Sequence, residues 1–494
     1  MNKDRKLIIK KNIVTTIGKK GYSIVKNKIE EKIIKEIRKD LCVQPFINND
    51  YGGVSNPFNI YLEGETKLYL PKHYGLKKFG KPDIVKISKG ISINVTFSGK
   101  LRNKQIPVVK KFLNSCIDGC FTDKTFGGII SVGCGFGKTI MALHILCQLG
   151  RKTIIIVHKE FLMNQWVDRI NEFIPNAKIG KIQAKTIDVE GKDIVIAMLQ
   201  SLSMKKYDDS LFLDFGFVIV DECHHIAAEI FSKALPKVNS YYSLGLSATP
   251  TRIDGLSKVF NLYLGPIIYK AKVAEDKPVI VNIIKYYDIN PEYNKEELTS
   301  LGKLCVARMI NNISQNVNRN NLILYLALDL VKKGKQVIIL SDRRDQLSYL
   351  YGKINPHTSV GYYIGGMKQR DLDESEKSNI ILGTFPMSSE GLDIPSLDAA
   401  IFATPKSSIE QSIGRITRKV HKDLPIAYDI VDCFSIFENQ LKKREKVYKK
   451  LKYIIKTGIL SIDKDISDGQ IQYFIDNCLH EEKTINNNVC LIED

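Results

Sequence analysis

The sequence predicts an α/β protein with two parallel-sheet lobes in tandem, preceded by a small α+β unit. Three observations predict it. Apolar runs such as Thr153–Val157 and Phe217–Val220 alternate with helical patterns, as strands covered on both faces do. The alternation fades near residue 257 and resumes near 321, which separates two such units. Only the first unit carries a glycine-rich turn, Val132-Gly133-Cys134-Gly135-Phe136-Gly137-Lys138-Thr139, set between an apolar run and a helical one.

Taken in order, residues 1–40 carry 13 Lys+Arg against 5 Asp+Glu, and Ile29, Ile33, Ile37 and Leu41 recur every four residues. That spacing predicts an amphipathic helix with a basic outer face. Short mixed patterns to residue 98 complete an accessory α+β domain, 1–98. The first lobe, 99–256, takes strands at 128–131, Thr153–Val157, 193–198, Phe217–Val220 and Tyr242–Ser247, with helices at 140–147 and through Phe161, Gln165 and Trp166. Residues 257–320 carry weaker signals and read as a connection. The second lobe, 321–456, takes strands at Gln336–Leu340, 379–382, 399–402 and 427–431, then a basic helix from 440 to 456. The last 38 residues, 457–494, reverse sign with eight acidic residues against two lysines, and read as an acidic tail.

Composition sets the outer bounds. With 44% hydrophobic and 26% charged residues the chain is ordinary globular material. No apolar run approaches the ~20 residues of a membrane span, and no signal-peptide core follows Met1, so neither a membrane partner nor secretion is expected. The ten cysteines form no Cys-x-x-Cys pair; Cys116 and Cys120, at i, i+4, read as a helix face, and a reducing compartment fits. A formal charge of +19 favours polyanions and salt-dependent binding, although a Lys-rich composition alone accounts for part of it.

The chemistry is carried by residues at strand ends, where open α/β sheets bind ligands. In the turn, glycines at 133, 135 and 137 let backbone N–H groups converge on an anion, and the next helix adds its positive end. Lys138 would reach the β- and γ-phosphates and the Thr139 hydroxyl a magnesium ion. Val132 stands where the strict pattern has its first glycine. Asp221 and Glu222 follow the strand Phe217–Val220; Asp221 would hold the magnesium and Glu222 would orient and deprotonate the attacking water. His224 and His225 lack zinc-ligand spacing. Ser247-Ala248-Thr249-Pro250 ends another strand. In the second lobe, Ser389 to Pro395 and Gln411 to Arg418 stand out; on a helix Gln411, Arg415 and Arg418 fall at i, i+4 and i+7, one face able to present arginines to a transferring phosphoryl group. Two lobes with one such turn suggest a cleft that closes on the nucleotide.

This ordered set, Gln105, Gly135 to Thr139, Asp221 to His224, Ser247 to Thr249, Glu390 to Asp393 and Gln411 to Arg418, resembles that of the superfamily 2 helicases over about residues 100–456. The resemblance implies two RecA-like lobes, ATP with Mg2+, and adenine recognition by Arg102 and Gln105. It implies coupling of hydrolysis to strand movement by Ser247, Thr249 and His224, contact of Gly391 and Asp393 with nucleotide and strand, and a finger role for Arg415 and Arg418 beside Gln411. Within the superfamily the wording is similar to poxvirus DNA helicases that act as transcript-release factors. That kinship implies DNA-stimulated ATP hydrolysis, unwinding of duplex, release of nascent RNA in late viral transcription, contact with the viral transcription machinery, and residence in the cytoplasmic viral factory and the virion. Cys134, where threonine is usual, and Val132 depart from the pattern. An RNA helicase of the DExH type and a catalytically idle nucleic-acid-binding module are the alternative readings.

Overall fold

Each apolar run in the two alternating units forms a strand of one of two parallel sheets. The computed structural model describes residues 14–45, 56–117, 126–133, 135–223, 228–248, 255–271, 278–390, 392, 394–407, 409–417 and 423–481. The chain divides into two units, Met1–Lys272 and Val273–Asp494. Each holds one eight-stranded sheet, the RecA-like lobe of the sequence reading.

In the first unit the sheet runs Thr186–Ile187, Ile179–Gln183, Ile194–Met198, Thr153–Val157, Phe217–Val220, Tyr242–Ser247, Gly127–Ser131, Ile267–Lys270. Only the Ile179–Gln183/Thr186–Ile187 pair is antiparallel. The central strands are buried on both faces, so every residue of Thr153–Val157 and Phe217–Val220 can be apolar or a small hydroxyl. Their carboxyl ends line up Ser131, Val157, Val220 and Ser247 along one edge of the sheet.

The accessory segment forms a five-stranded, mostly antiparallel sheet ordered Leu62–Glu63, Lys67–Leu70, Gly21–Val25, Thr15–Gly18, Ile84–Val85. The predicted amphipathic helix is Glu31–Asp40, burying Ile34 and Ile37, with Leu41 buried just past its end. Among the described residues this segment shares its core with the lobe: Tyr22, Ile24, Leu68 and Leu70 lie in one apolar cluster with Ile154, Val218, Phe231 and Phe260. Helix Lys72–Phe79 makes the join. Its Gly75 lies against the Tyr22 ring, where a Cβ would stand 2.1 Å from a ring carbon. Its Lys72 is buried and donates to the carbonyls of Ser240 (3.2 Å) and Tyr241 (3.0 Å) and to Ser243 Oγ (3.4 Å).

The second unit orders its strands Val360–Tyr363, Ile380–Gly383, Gln336–Leu340, Leu397–Phe402, Ile426–Asp432, Ile280–Asp288, Ile454–Ile462, His480–Glu481, all parallel but the last pair. Two boundaries therefore move from the sequence reading. Residues 257–320 are not a free connection: helix Ser257–Leu264 and strand Ile267–Lys270 belong to the first unit, and Ile280–Asp288 is an inner strand of the second. The apolar pattern hid these strands because Ile267–Lys270 is an exposed edge and Asn282 and Lys285 interrupt Ile280–Asp288. The acidic tail is partly folded too, since Ile454–Ile462 pairs along Ile280–Asp288 and helix Asp468–Asn477 starts at a Ser467/Gln470 capping box. The basic helix is Phe437–Lys450, shorter than read because the chain turns into that strand. No described helix is long and apolar enough to cross a membrane.

Candidate nucleotide site

The glycine turn leaves strand Gly127–Ser131 and enters helix Lys138–Leu149. Gly135 (φ 73°) and Gly137 (φ 89°) occupy the left-handed region, which an L side chain enters only with strain. Val132 is buried and its N–H donates to the Ser247 carbonyl (3.1 Å), so the first position of the turn still belongs to the sheet and has room for a side chain. Gly137 stands at the N-cap without a capping side chain, leaving the first-turn N–H groups directed at the turn.

Arg102 and Gln105 brace the turn from outside. Arg102 Nη2 donates to the carbonyls of Gly135 (3.1 Å) and Phe136 (2.9 Å). Gln105 Nε2 also donates to Phe136 O (2.8 Å), while its Oε1 accepts from the Arg102 N–H (2.8 Å). Gln105 is 1% exposed, so its amide is held at both ends. The Lys104 ammonium lies 4.9 Å from the centre of the Phe136 ring.

Asp221 and Glu222 follow the strand Phe217–Val220, and the Asp221 N–H donates to the Ile156 carbonyl of the neighbouring strand (3.1 Å). Glu222 has φ 42°, unusual for a residue with a side chain, and this turn sends its carboxylate to Lys138: Oε1 and Nζ are 2.7 Å apart. Asp221 points elsewhere. Its Oδ2 accepts from the Trp166 indole N–H (2.8 Å) and its Oδ1 from the Glu222 N–H (2.9 Å). Burial, and next the charge of Glu222, push the Asp221 carboxyl up to about 6, against the opposing pull of Lys138 and the Trp166 bond. Burial raises the neighbouring Cys223 thiol to about 12, which makes it unreactive. Trp166 is the residue that sequence reasoning missed; it reads as core in a helix, and no spacing signals its carboxylate partner.

The structure thus brings Arg102, Gln105, Gly133, Gly135, Phe136, Gly137, Lys138, Thr139, Asp221, Glu222 and Ser247 to one edge of the first sheet. Ser247 is fully buried at the end of the strand between those carrying the turn and the carboxylates. In the second unit the arginine helix is not continuous. It spans only Glu410–Ile413, after which Arg415 N and Ile416 N bond three residues back, to Ser412 O (3.2 Å) and Ile413 O (3.1 Å). The expected helix through 411 and 415 therefore ends at Gly414, where the chain tightens into turns. Arg415 is buried, and its Nη1 donates to Leu392 O (2.9 Å). Cys134, His224, Thr249, Gly391, Asp393 and Arg418, like Cys120 and His225, lie outside the described residues.

Known proteins resemble this chain in sequence and in fold. Residues 98–252 match the family model of the type III restriction enzyme res subunit, and 318–420 match the helicase conserved C-terminal domain. A protein of Acanthamoeba polyphaga mimivirus, provisionally named an ATP-dependent RNA helicase, is 40% identical over 463 residues, covering 91% of this chain and 88% of the relative. The chain belongs to the superfamily 2 helicases. A helicase of Invertebrate iridescent virus 6, also provisionally named, is 28% identical over 457 residues, covering 87% of this helicase and 98% of that protein. The solved structure of S. cerevisiae Dbp5 bound to RNA and ADP BeF3 shares the fold, with a TM-score of 0.52 at 12% identity over 75% of this helicase and 92% of that chain. As a member of this family the helicase is an ATP-hydrolysing enzyme.

Proposed function

We propose that this helicase couples ATP hydrolysis to movement along DNA, unwinding duplex or displacing what is bound to a strand. The observation that carries the reading is the 2.7 Å contact between Lys138 and Glu222, with Asp221 beside it, at the mouth of a turn built from left-handed glycines. A lysine and a carboxylate that neutralise each other at a phosphate cradle form an exchangeable pair. When the polyphosphate of ATP enters, Lys138 moves to the β- and γ-phosphate oxygens, and Glu222, released, accepts the proton of the attacking water. Arg102 and Gln105 read the adenine and transmit its presence to the turn through Phe136 O.

The oxygen donors of Thr139 and Asp221 suit a hard divalent cation such as magnesium, and among the described residues Asp221 is buried with hydrogen bonds from neutral donors. Magnesium would supply charge neutralisation on the phosphates. Gly391 and Asp393 are assigned to nucleotide and strand contacts, and Gln411, Arg415 and Arg418 to stabilising the transferring phosphoryl group. Ser247, whose carbonyl receives the Val132 N–H, is assigned with Thr249 and His224 to relay hydrolysis to the strand.

The resemblance to poxvirus transcript-release factors supports a DNA substrate, partners in the viral transcription machinery, and a place in the viral factory and virion. The name of the mimivirus relative favours a second reading, in which RNA is the strand gripped. One experiment separates them: ATPase activity with single-stranded DNA, duplex DNA and RNA compared side by side. Stimulation by DNA at least tenfold above RNA supports the first reading. The reverse order overturns it in favour of the second, and no stimulation by any of them overturns both.

A further inference from the structure

Trp166 is the only tryptophan in the chain and is 1% exposed. It lies on helix Glu160–Phe173, which begins just past the strand Thr153–Val157. That strand pairs with Phe217–Val220, and Ile156 O accepts the Asp221 N–H. The helix therefore crosses back over the sheet beside the strand end that carries Asp221, and the indole N–H arrives 2.8 Å from Asp221 Oδ2. The ring belongs to the same buried apolar cluster as Leu162, Met163 and Ile170 in the core of the first unit. With Oδ1 taken by the Glu222 N–H, both carboxylate oxygens have a fixed donor and the carboxylate plane is set.

The chemistry of the donor matters. Indole is a donor only and carries no charge. It orients the carboxylate without neutralising it, whereas the ammonium of Lys138 neutralises Glu222 a residue away. An arginine or lysine in place of Trp166 would fix Asp221 equally well but would compete with a cation for its charge. A phenylalanine would fill the core and leave the carboxylate with the Glu222 N–H as its one remaining donor of the two, its plane no longer set.

We infer that Trp166 is a positioning residue for Asp221, holding its carboxylate in the orientation that receives the nucleotide-bound divalent cation, and that its indole is a built-in optical reporter of that carboxylate. This rests on the reading of Asp221 as the cation-side carboxylate. The loss of an outer-shell partner of this kind typically lowers metal affinity or activity about 10- to 100-fold.

The test uses the full chain with two variants. Trp166→Phe is expected to raise the magnesium concentration for half-maximal ATPase about 10-fold or more at saturating ATP, with a smaller change in kcat at saturating magnesium. An unchanged magnesium requirement in a variant with wild-type circular dichroism overturns the inference. Should Trp166→Phe fail to fold, Asp221→Asn decides the matter by fluorescence, since it keeps the side-chain shape and removes the charge facing the only indole. A shifted emission maximum or intensity relative to wild type, measured without nucleotide, supports the contact, and an unchanged spectrum overturns it. Failure of the underlying reading is distinguishable, because Asp221→Asn would then hydrolyse ATP at the wild-type rate.

Discussion

Gly137→Ala places a methyl group where the Gln105 amide stands. A Cβ at position 137 would lie 2.3 Å from Gln105 Nε2 and 2.8 Å from Arg102 Nη2. A surface glutamine would swing aside at little cost, but this one is buried and bonded at both ends of its amide. The backbone adds a second penalty, since φ is 89° and a left-handed residue with a side chain costs roughly 1–2 kcal/mol. Breaking the Gln105–Phe136 bond adds about 1 kcal/mol. The sum, about 2–3 kcal/mol, has two outlets. If the turn keeps its shape, the loss appears as stability, and at about 2–4 °C per kcal/mol for a domain of this size Tm falls by about 4–12 °C. If the turn refolds to escape the strain, the loss appears as ATP affinity, about 30- to 150-fold at 1.4 kcal/mol per tenfold. Differential scanning fluorimetry without nucleotide and ATP titration of the same preparation measure both. Gly133→Ala is the control for stability, since a Cβ there meets no atom of the described residues within 4 Å and should leave Tm nearly unchanged. A Gly137→Ala protein with wild-type Tm and wild-type ATP affinity would refute the argument that Gln105 and Arg102 hold the turn.

Lys138→Ala is expected to lower ATP turnover about 10²-fold or more while circular dichroism stays that of the wild type; normal turnover would refute the phosphate role. Arg418→Ala should bind ATP nearly as wild type and hydrolyse it about 10³- to 10⁵-fold more slowly, and weakened binding at an unchanged turnover rate would count against the finger role. Nucleic-acid affinity should drop steeply between low and high salt, as release of counterions from the backbone requires; a flat response would detach the +19 charge from binding. Lys72 supplies a pH dependence. Burial lowers its ammonium from the ordinary 10.5 to about 7, so between those values the unfolded chain holds a proton that the folded chain has lost. Stability from this group is therefore lost as pH falls towards 7 and rises with pH towards 10.5, by at most about 1.4 kcal/mol per pH unit. Thermal melts of wild type and Lys72→Met between pH 7 and 10 should show the steeper rise in the wild type, and parallel curves would contradict it.

The two-sheet fold, and the sheet edge where the turn and the carboxylates meet, were largely legible before folding. Strand Phe217–Val220 and the turn from Val132 to Thr139 are local features, each needing only an apolar run and the residues next to it, so pattern alone predicted both the sheet and its loaded end. The same reasoning failed for Ile280–Asp288, an inner strand whose Asn282 and Lys285 break the apolar run. It failed again for Ile454–Ile462, whose place depends on a partner strand about 170 residues earlier. It also carried one helix from Gln411 through Arg415, where the chain leaves the helix at Gly414.

Residue types at the site were therefore determined by the sequence, while their pairings were decided by the tertiary structure. Lys138 and Glu222 are 84 positions apart and Trp166 and Asp221 are 55. No periodicity reports such distances. Only the parallel sheet, by setting strand ends side by side, puts a lysine against one carboxylate and a neutral indole against the other.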